Sequence, residues 1–331
     1  MAHELEIIDG EAQMVSTGGM VPWHGLGTVV EDEALKAAEA LKLAGLDWTV
    51  EMVPLAQEIG QDDDGNMVYD EVDGWYSVQR SSDLKSVGVV RGRYNPLNNV
   101  DAFQLGDDLL DDPEAHWHTA GSLKGGSLVW MLAKMPEDIY IAGMEDEAIS
   151  SYLLISNSHD GSKAVEATVT PIRVVCNNTF TAALKSAKRT FKIRHTKHMS
   201  GRINEAKNAL GITHAYMAEL EALGTNLVNQ AFSTTEFDRF LESLVPTEGM
   251  DDGVALTKAQ TKQEAIKGIY LNKPDLQNVK GTKWGALQAV IDYNDHHIKS
   301  RGDNQAEKRM SRILMPAQPN IGHRALDLLT V

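Results

Sequence analysis

The sequence predicts an α+β fold: an antiparallel β-sheet and meander with flanking helices, followed by an α-helical C-terminal part. Two observations carry this. Through residue 176, runs of β-branched and aromatic residues are separated by Asp-Gly and Gly-Gly turns, which is hairpin chemistry. Beyond Arg202 the apolar residues recur at helical spacing instead, as in Ala206, Leu210, Met217 and Leu220. The reading divides the chain into an N-terminal arm (1–30), an α+β core (31–195) and an α-helical region (196–331).

Residues 1–30 are Gly-rich and read as loop, with Trp23-His24-Gly25-Leu26-Gly27 too glycine-dense for a helix. Leu35, Ala38, Leu41 and Ala44 predict a helix over Glu31–Ala44, stopped by Gly45. Trp48–Leu55 reads as a strand, Asp62-Asp63-Asp64-Gly65-Asn66 as a turn, and Trp75–Arg80 and Ser86–Arg91 complete a meander. The three Asp lack the alternating ligands and closing Glu of a calcium loop. A turn at Tyr94–Asn99 leads to a helix near Ala102–Leu110.

Trp117–Leu123 and Ser127–Met135 form a second hairpin, with Tyr140–Ala142 extending the sheet. Tyr152–Ile155 and Ala164–Val169 flank the turn His159-Asp160-Gly161-Ser162, and Ile172–Cys176 follows Pro171. Asn177-Asn178-Thr179 suits the cap of a helix starting near Phe180. Further helices are expected over Ile203–Leu223, Glu236–Leu244 (capped by Thr234 or Thr235), Ala255–Leu271, Thr282–Ile298 and Asn304–Met315, with 316–323 as loop.

The 331 residues carry a net charge of −16, a field that repels phosphate in general but leaves room for a local basic groove. The single cysteine, Cys176, excludes an intrachain disulfide and a multi-cysteine zinc site, and its setting is that of a buried strand. No signal peptide and no apolar run long enough to span a bilayer is visible, so the expected location is the cytoplasm. There is no nucleophile elbow and no nucleotide-binding loop, so neither a cofactor nor ATP is expected.

His116 and His118 share one strand face, as half a metal site would, but no acidic or cysteine partner at convincing spacing completes it, and no metal is expected. Asp292 and His296, four apart, share a helix face on which a carboxylate would orient an imidazole; a surface ion pair is the plainer reading.

The strongest signal is cationic. Eight of the 31 Lys and Arg lie between Lys185 and Lys207, opposed only by Glu205. Lys185, Lys188, Arg189 and Lys192 follow i, i+3, i+4, i+7 spacing and predict a basic helix stripe. Arg194, Lys197 and Arg202 continue it, interleaved with Phe191, His195 and His198. Guanidinium forks suit phosphate, and aromatics beside them suit unpaired bases.

Several stretches resemble a family of phage- and plasmid-borne proteins that carry a domain of unknown function. They are Trp-His-Gly-Leu-Gly at 23–27, Thr119–Leu123 with Val129-Trp130, Asn157 with Gly161–Val169, Arg173–Thr179, and Thr282–Leu287 through Tyr293, His296 and His297. More loosely, the element order is similar to single-strand annealing proteins of the Redβ/RecT type. That resemblance implies a groove of Lys and Arg extended by neighbouring subunits. It implies a non-enzymatic protein that binds single-stranded DNA and promotes ATP-independent annealing as a ring-forming or helical homo-oligomer. On that reading the phosphate contacts come from this chain's own cations: Arg173, Lys185, Lys188, Arg189, Lys192, Arg194, Lys197 and Arg202, with Arg91 and Arg93 secondary. Two alternatives stay open: a metal-dependent or nucleotide-modifying enzyme, and a protein-binding assembly or counter-defence factor.

Overall fold

A computed structural model describes residues 7–8, 11–12, 14–17, 28–30, 36–109, 116–163, 165–173, 178–179, 189–193, 199–299, 305–314 and 320–331. The architecture is α+β, with antiparallel sheets first and helices after. The short strands β1 (Ile7–Ile8) and β2 (Glu11–Ala12) pair with each other. β3 (Met14–Thr17) and β4 (Thr28–Val30) follow, then α1 (Ala37–Leu43). A meander of β5 (Val50–Gln61), β6 (Met67–Arg80) and β7 (Ser86–Arg91) leads to α2 (Asn99–Leu109).

β8 (His116–Leu123), β9 (Leu128–Tyr140), β10 (Ala148–Ser158) and β11 (Val165–Val169) form the centre of the large sheet. β12 (Ile172–Arg173), β13 (Asn178–Thr179) and β14 (Thr190–Ile193) lie beyond β10. The helices α3 (Met199–Val228), α4 (Thr234–Leu244), α5 (Val254–Asn272), α6 (Lys283–Asp292), α7 (Gln305–Leu314) and α8 (Ile321–Thr330) complete the chain.

The large sheet runs β13-β12-β10-β9-β8-β3-β4, with β11 pairing both β10 and β14. Part of the 1–30 stretch read as loop therefore belongs to the sheet: β3 pairs antiparallel to β8 and parallel to β4. Strands of three or four residues carry too little pattern to be read locally, and pairing with β8 defines them. The Trp23–Gly27 run and Cys176 lie outside the described residues.

Alternation sorts the sheet's two faces. Leu153, Ile155, Val129, Met131, Ala133, Val165 and Ala167 pack with α1 and α2 residues such as Leu41 and Phe103. Tyr152, Leu154, Trp130 and Leu132 form a second buried cluster on the opposite face. Each fully buried Leu or Ile in these layers contributes about 1.5–3 kcal/mol.

The helices bury a third cluster around Trp284, Phe237 and Tyr270. The two halves are joined by Glu147, wholly buried in the β9–β10 connection. Its carboxylate accepts from Trp284 Nε1 at 2.8 Å and Asn278 Nδ2 at 3.0 Å.

Helix ends follow local chemistry. Gly45 has φ of 67°, and it and Leu46 donate back to Lys42 and Leu41, the two bonds of a Schellman stop. The cap of α4 is Ser233, not Thr234 or Thr235. Its hydroxyl accepts from Glu236 N, and Glu236 reaches back to its backbone N–H, closing a capping box. Asn320 caps α8, a helix the expected 316–323 loop runs into at its end.

The largest departure concerns the basic stripe. Thr190–Ile193 is strand β14, antiparallel to β11 with Glu166 opposite Lys192 and Ala167 opposite Phe191. Asn178–Thr179, expected to cap a helix, is likewise a strand, paired with β12. Like charges spaced four apart on a helix repel. Thr-Phe-Lys-Ile in β14 satisfies its backbone on β11 and buries Phe191 partly against the core.

Candidate functional site

The candidate nucleic-acid residues are not brought onto one stripe. Lys185, Lys188, Arg194 and Lys197 lie outside the described residues, and Arg173 and Arg202 are described by backbone, in β12 and the first turns of α3. Arg189 is not a free cation on a helix face: its Nε donates to Val169 O at 2.9 Å, beside Tyr216. Lys192 projects from the sheet margin with its side chain 75% exposed, 3.8 Å from Glu166.

Arg91 and Arg93, at the end of β7, are both exposed. Register places Trp75 opposite Arg91 and Ser77 opposite Val89. The Arg91 guanidinium lies 3.8 Å from the Trp75 ring centre. Val89 is half exposed on the same face. The opposite face of this sheet, with Val78 and Val90, is buried.

Sequence reasoning missed a second convergence of charge. α6 does not continue as an α-helix to Ile298; it ends at Asp292 and passes into a π-helical turn, Tyr293–His297. Widening the turn changes which residues meet, since i and i+5 now lie together. The wholly buried Asp292 consequently receives His297 Nε2 at 3.2 Å, not His296. Its other oxygen pairs with Lys273 Nζ at the end of α5. Asp292 is thus a buried anchor and not half of a surface pair.

His296 turns the other way, to Arg309 of α7. Burial, reinforced by the nearby Arg309 and Lys273, pushes it down to about 4, so the imidazole is neutral at pH 7. Asp295 accepts Thr179 N at 2.8 Å and Asn294 Nδ2 at 2.9 Å. Burial, with Asp292 nearby, nevertheless pushes Asp295 up to about 7. Arg309 and Arg312 donate to the Asp295 and Ile298 carbonyls. The network joins α5, α6, α7 and β13. His297, about half exposed and oriented by the Asp292 carboxylate, has the arrangement of an acid–base pair.

His118 is buried, bonded through Nδ1 to Thr119 Oγ1 and edge-on to Tyr152 at 5.4 Å. Among the described residues no three His, Cys, Asp or Glu converge on a metal-sized site, and no helix is long and apolar enough to cross a membrane. Asp62, in the triple-Asp turn, binds its own loop, accepting from the Asp64 and Asn66 backbone N–H groups.

His159 is also buried, with Nε2 2.9 Å from Asn99 Oδ1. Asn99 in turn donates to Leu46 O at 2.9 Å. Burial pushes His159 down to about 4. Gly88 passes so close that a Cβ there would lie 2.5 Å from Asp160 Cα.

These features define an α+β protein with a buried ionic network under its helices and an open aromatic–cationic sheet face. The family model of DUF932, a domain of unknown function, matches residues 86–314, and the chain belongs to that family. The match runs from β7 to the end of α7 and leaves out β5 and β6. No curated protein and no solved structure matches the chain.

Proposed function

We propose that this chain is a phage- or plasmid-borne protein that binds single-stranded DNA and promotes ATP-independent annealing as a homo-oligomer. The observation that supports it most is the concentration of eight Lys and Arg over 185–207 in a chain of net charge −16. Lys192 at the sheet margin and Arg202 early in α3 give phosphate contacts; Arg173, Lys185, Lys188, Arg194 and Lys197 extend them. Arg189, committed to the Val169 carbonyl, is left out. Trp75 with Arg91, and Arg93 beside them, supply a stacking surface suited to unpaired bases.

The test is fluorescence anisotropy with a labelled single-stranded oligonucleotide across a salt series, followed by annealing of complementary strands without ATP. Log K should fall by about 0.7 per phosphate contact for each tenfold rise in salt. Lys192→Glu with Arg202→Glu should weaken binding on all sequences alike. Binding that is absent, or flat with salt, overturns the reading.

The His297–Asp292 pair supports a second reading, a nucleotide-modifying enzyme. Nucleotide turnover lost in His297→Gln would favour it over DNA annealing.

A further inference from the structure

The outer half of the β5–β6 hairpin is a two-stranded ribbon that packs on no other element among the described residues. β7 pairs with β6 only over Trp75–Gln79. Beyond that point Ala56–Gln61 and Met67–Glu71 are exposed throughout. An isolated two-stranded ribbon is marginal in water. This one also exposes large apolar side chains: Tyr69 is 62% exposed, Ile59 59% and Met67 47%. Met67 and Tyr69 are two apart on one strand and share a face. Ile59 sits in a bulge between the pairs Glu58–Tyr69 and Gly60–Val68. The arm is also uniformly acidic: between Val50 and Gln79 there are eight Asp and Glu and no Lys or Arg.

Across α4, α5 and α8 lies a cavity of about 390 Å³ with the opposite character. Leu244, Val245 and Ile321 give it apolar walls, and Lys258, Lys262 and Arg324 stand around it. Lys258 and Lys262 are four apart on α5 and so share a face, with no ion pair among the described residues. Arg324 is steadied by donating to Leu244 O at 2.9 Å. In a chain with a 16-charge acidic excess, cations left unneutralised around an apolar hollow fit an acidic, apolar partner.

We propose that the β5–β6 arm of one copy docks in this cavity of a second copy. Tyr69 and its apolar neighbours fill the hollow, and the Asp62–Asp64 tip and Asp70 meet Lys258, Lys262 and Arg324. The two surfaces are different patches of one molecule. The contact is therefore heterologous and propagates as a ring or an open filament, not as a closed two-fold dimer. The interface deepens the homo-oligomer part of the reading above and does not depend on nucleic acid.

The test uses the full-length chain without DNA, by analytical ultracentrifugation at low and high salt. The wild type should self-associate at micromolar concentration and dissociate with salt. Lys258→Glu with Lys262→Glu should weaken association about tenfold or more, because like charges then face each other. Asp63→Lys with Asp64→Lys should do the same. All four positions are on the surface, and unchanged thermal melting checks that each variant is folded.

The four substitutions together, or an equimolar mixture of the two double variants, should restore association. Zero-length carbodiimide coupling of isotopically mixed protein should join Lys258 or Lys262 to arm carboxylates between chains. A monomeric wild type overturns both this interface and the homo-oligomer reading. Association untouched by the charge reversals, or couplings only within one chain, overturns this interface alone.

Discussion

Two regions of this molecule are rich in charge, and they treat it in opposite ways. Around the π turn, Asp292 is removed from water and held by Lys273 and His297. Along the β5–β6 arm the carboxylates stand in solvent with no cation of their own segment to answer them. A buried charge must be paired inside the fold, because desolvation costs more than any loose interaction returns. An exposed charge has no such obligation. The first region therefore reports on stability, and the second on what the protein meets.

The sharpest way to break this contrast is Asp292→Ala. It leaves the quarter-exposed Lys273 to the longer contact with Asp275 at 3.7 Å and takes the carboxylate from His297, opening a hole at a wholly buried position. We expect a loss of about 3 kcal/mol in urea denaturation, changed little by added salt. Gly88→Ala should follow closely. Its Cβ would meet the backbone of the β10–β11 turn at Asp160, and neither chain can yield without moving a strand. We expect about 2 kcal/mol, within the usual cost of overpacking.

The titrating groups sharpen the comparison further. His159 has its folded value lowered to about 4, so the unfolded chain binds the extra proton between that value and about 6.5. Stability is fully present above about 6.5 and falls as pH drops towards about 4. His159→Gln keeps an amide donor for Asn99 and should flatten that slope. Asp295 behaves oppositely. Its folded value, raised to about 7, means the folded chain holds the proton from about 3.9 upward. Its contribution is lost as pH rises through about 7, and Asp295→Asn should make the protein relatively more stable at alkaline pH. Both slopes are measured by chemical denaturation across pH.

The smallest effect on folding is expected in the arm. Tyr69→Ser, at a 62% exposed site, should change stability by no more than about 0.5 kcal/mol. If it destabilises the isolated monomer by much more, the ribbon is supported within its own chain and the contrast with the π turn collapses.

Much of the fold is legible along the chain. The hairpin around 124–126, the triple-Asp turn, the Gly45 stop and the long helix after Arg202 each rest on residues within a few positions of one another. The π turn was not legible, because Asp292–His296 and Asp292–His297 look alike until the winding is known. β14 was misread because charge spacing in 185–192 matches a helix, while its pairing partner Glu166–Thr168 lies more than twenty residues away. His159 read as an ordinary turn residue beside Asp-Gly; nothing nearby shows that Asn99, sixty residues earlier, awaits it.

By itself, the sequence determined the α+β class, the succession of sheet and then helices, most turns and the Gly45 stop, and the presence of one strongly basic and one strongly acidic stretch. These depend on short-range periodicity and turn chemistry, which act before any distant contact forms. Only the tertiary structure decided which histidine meets Asp292, that Arg189 turns inward to Val169, and that the acidic arm stands clear of the body. Those outcomes depend on long-range pairing and desolvation, and no local pattern encodes either.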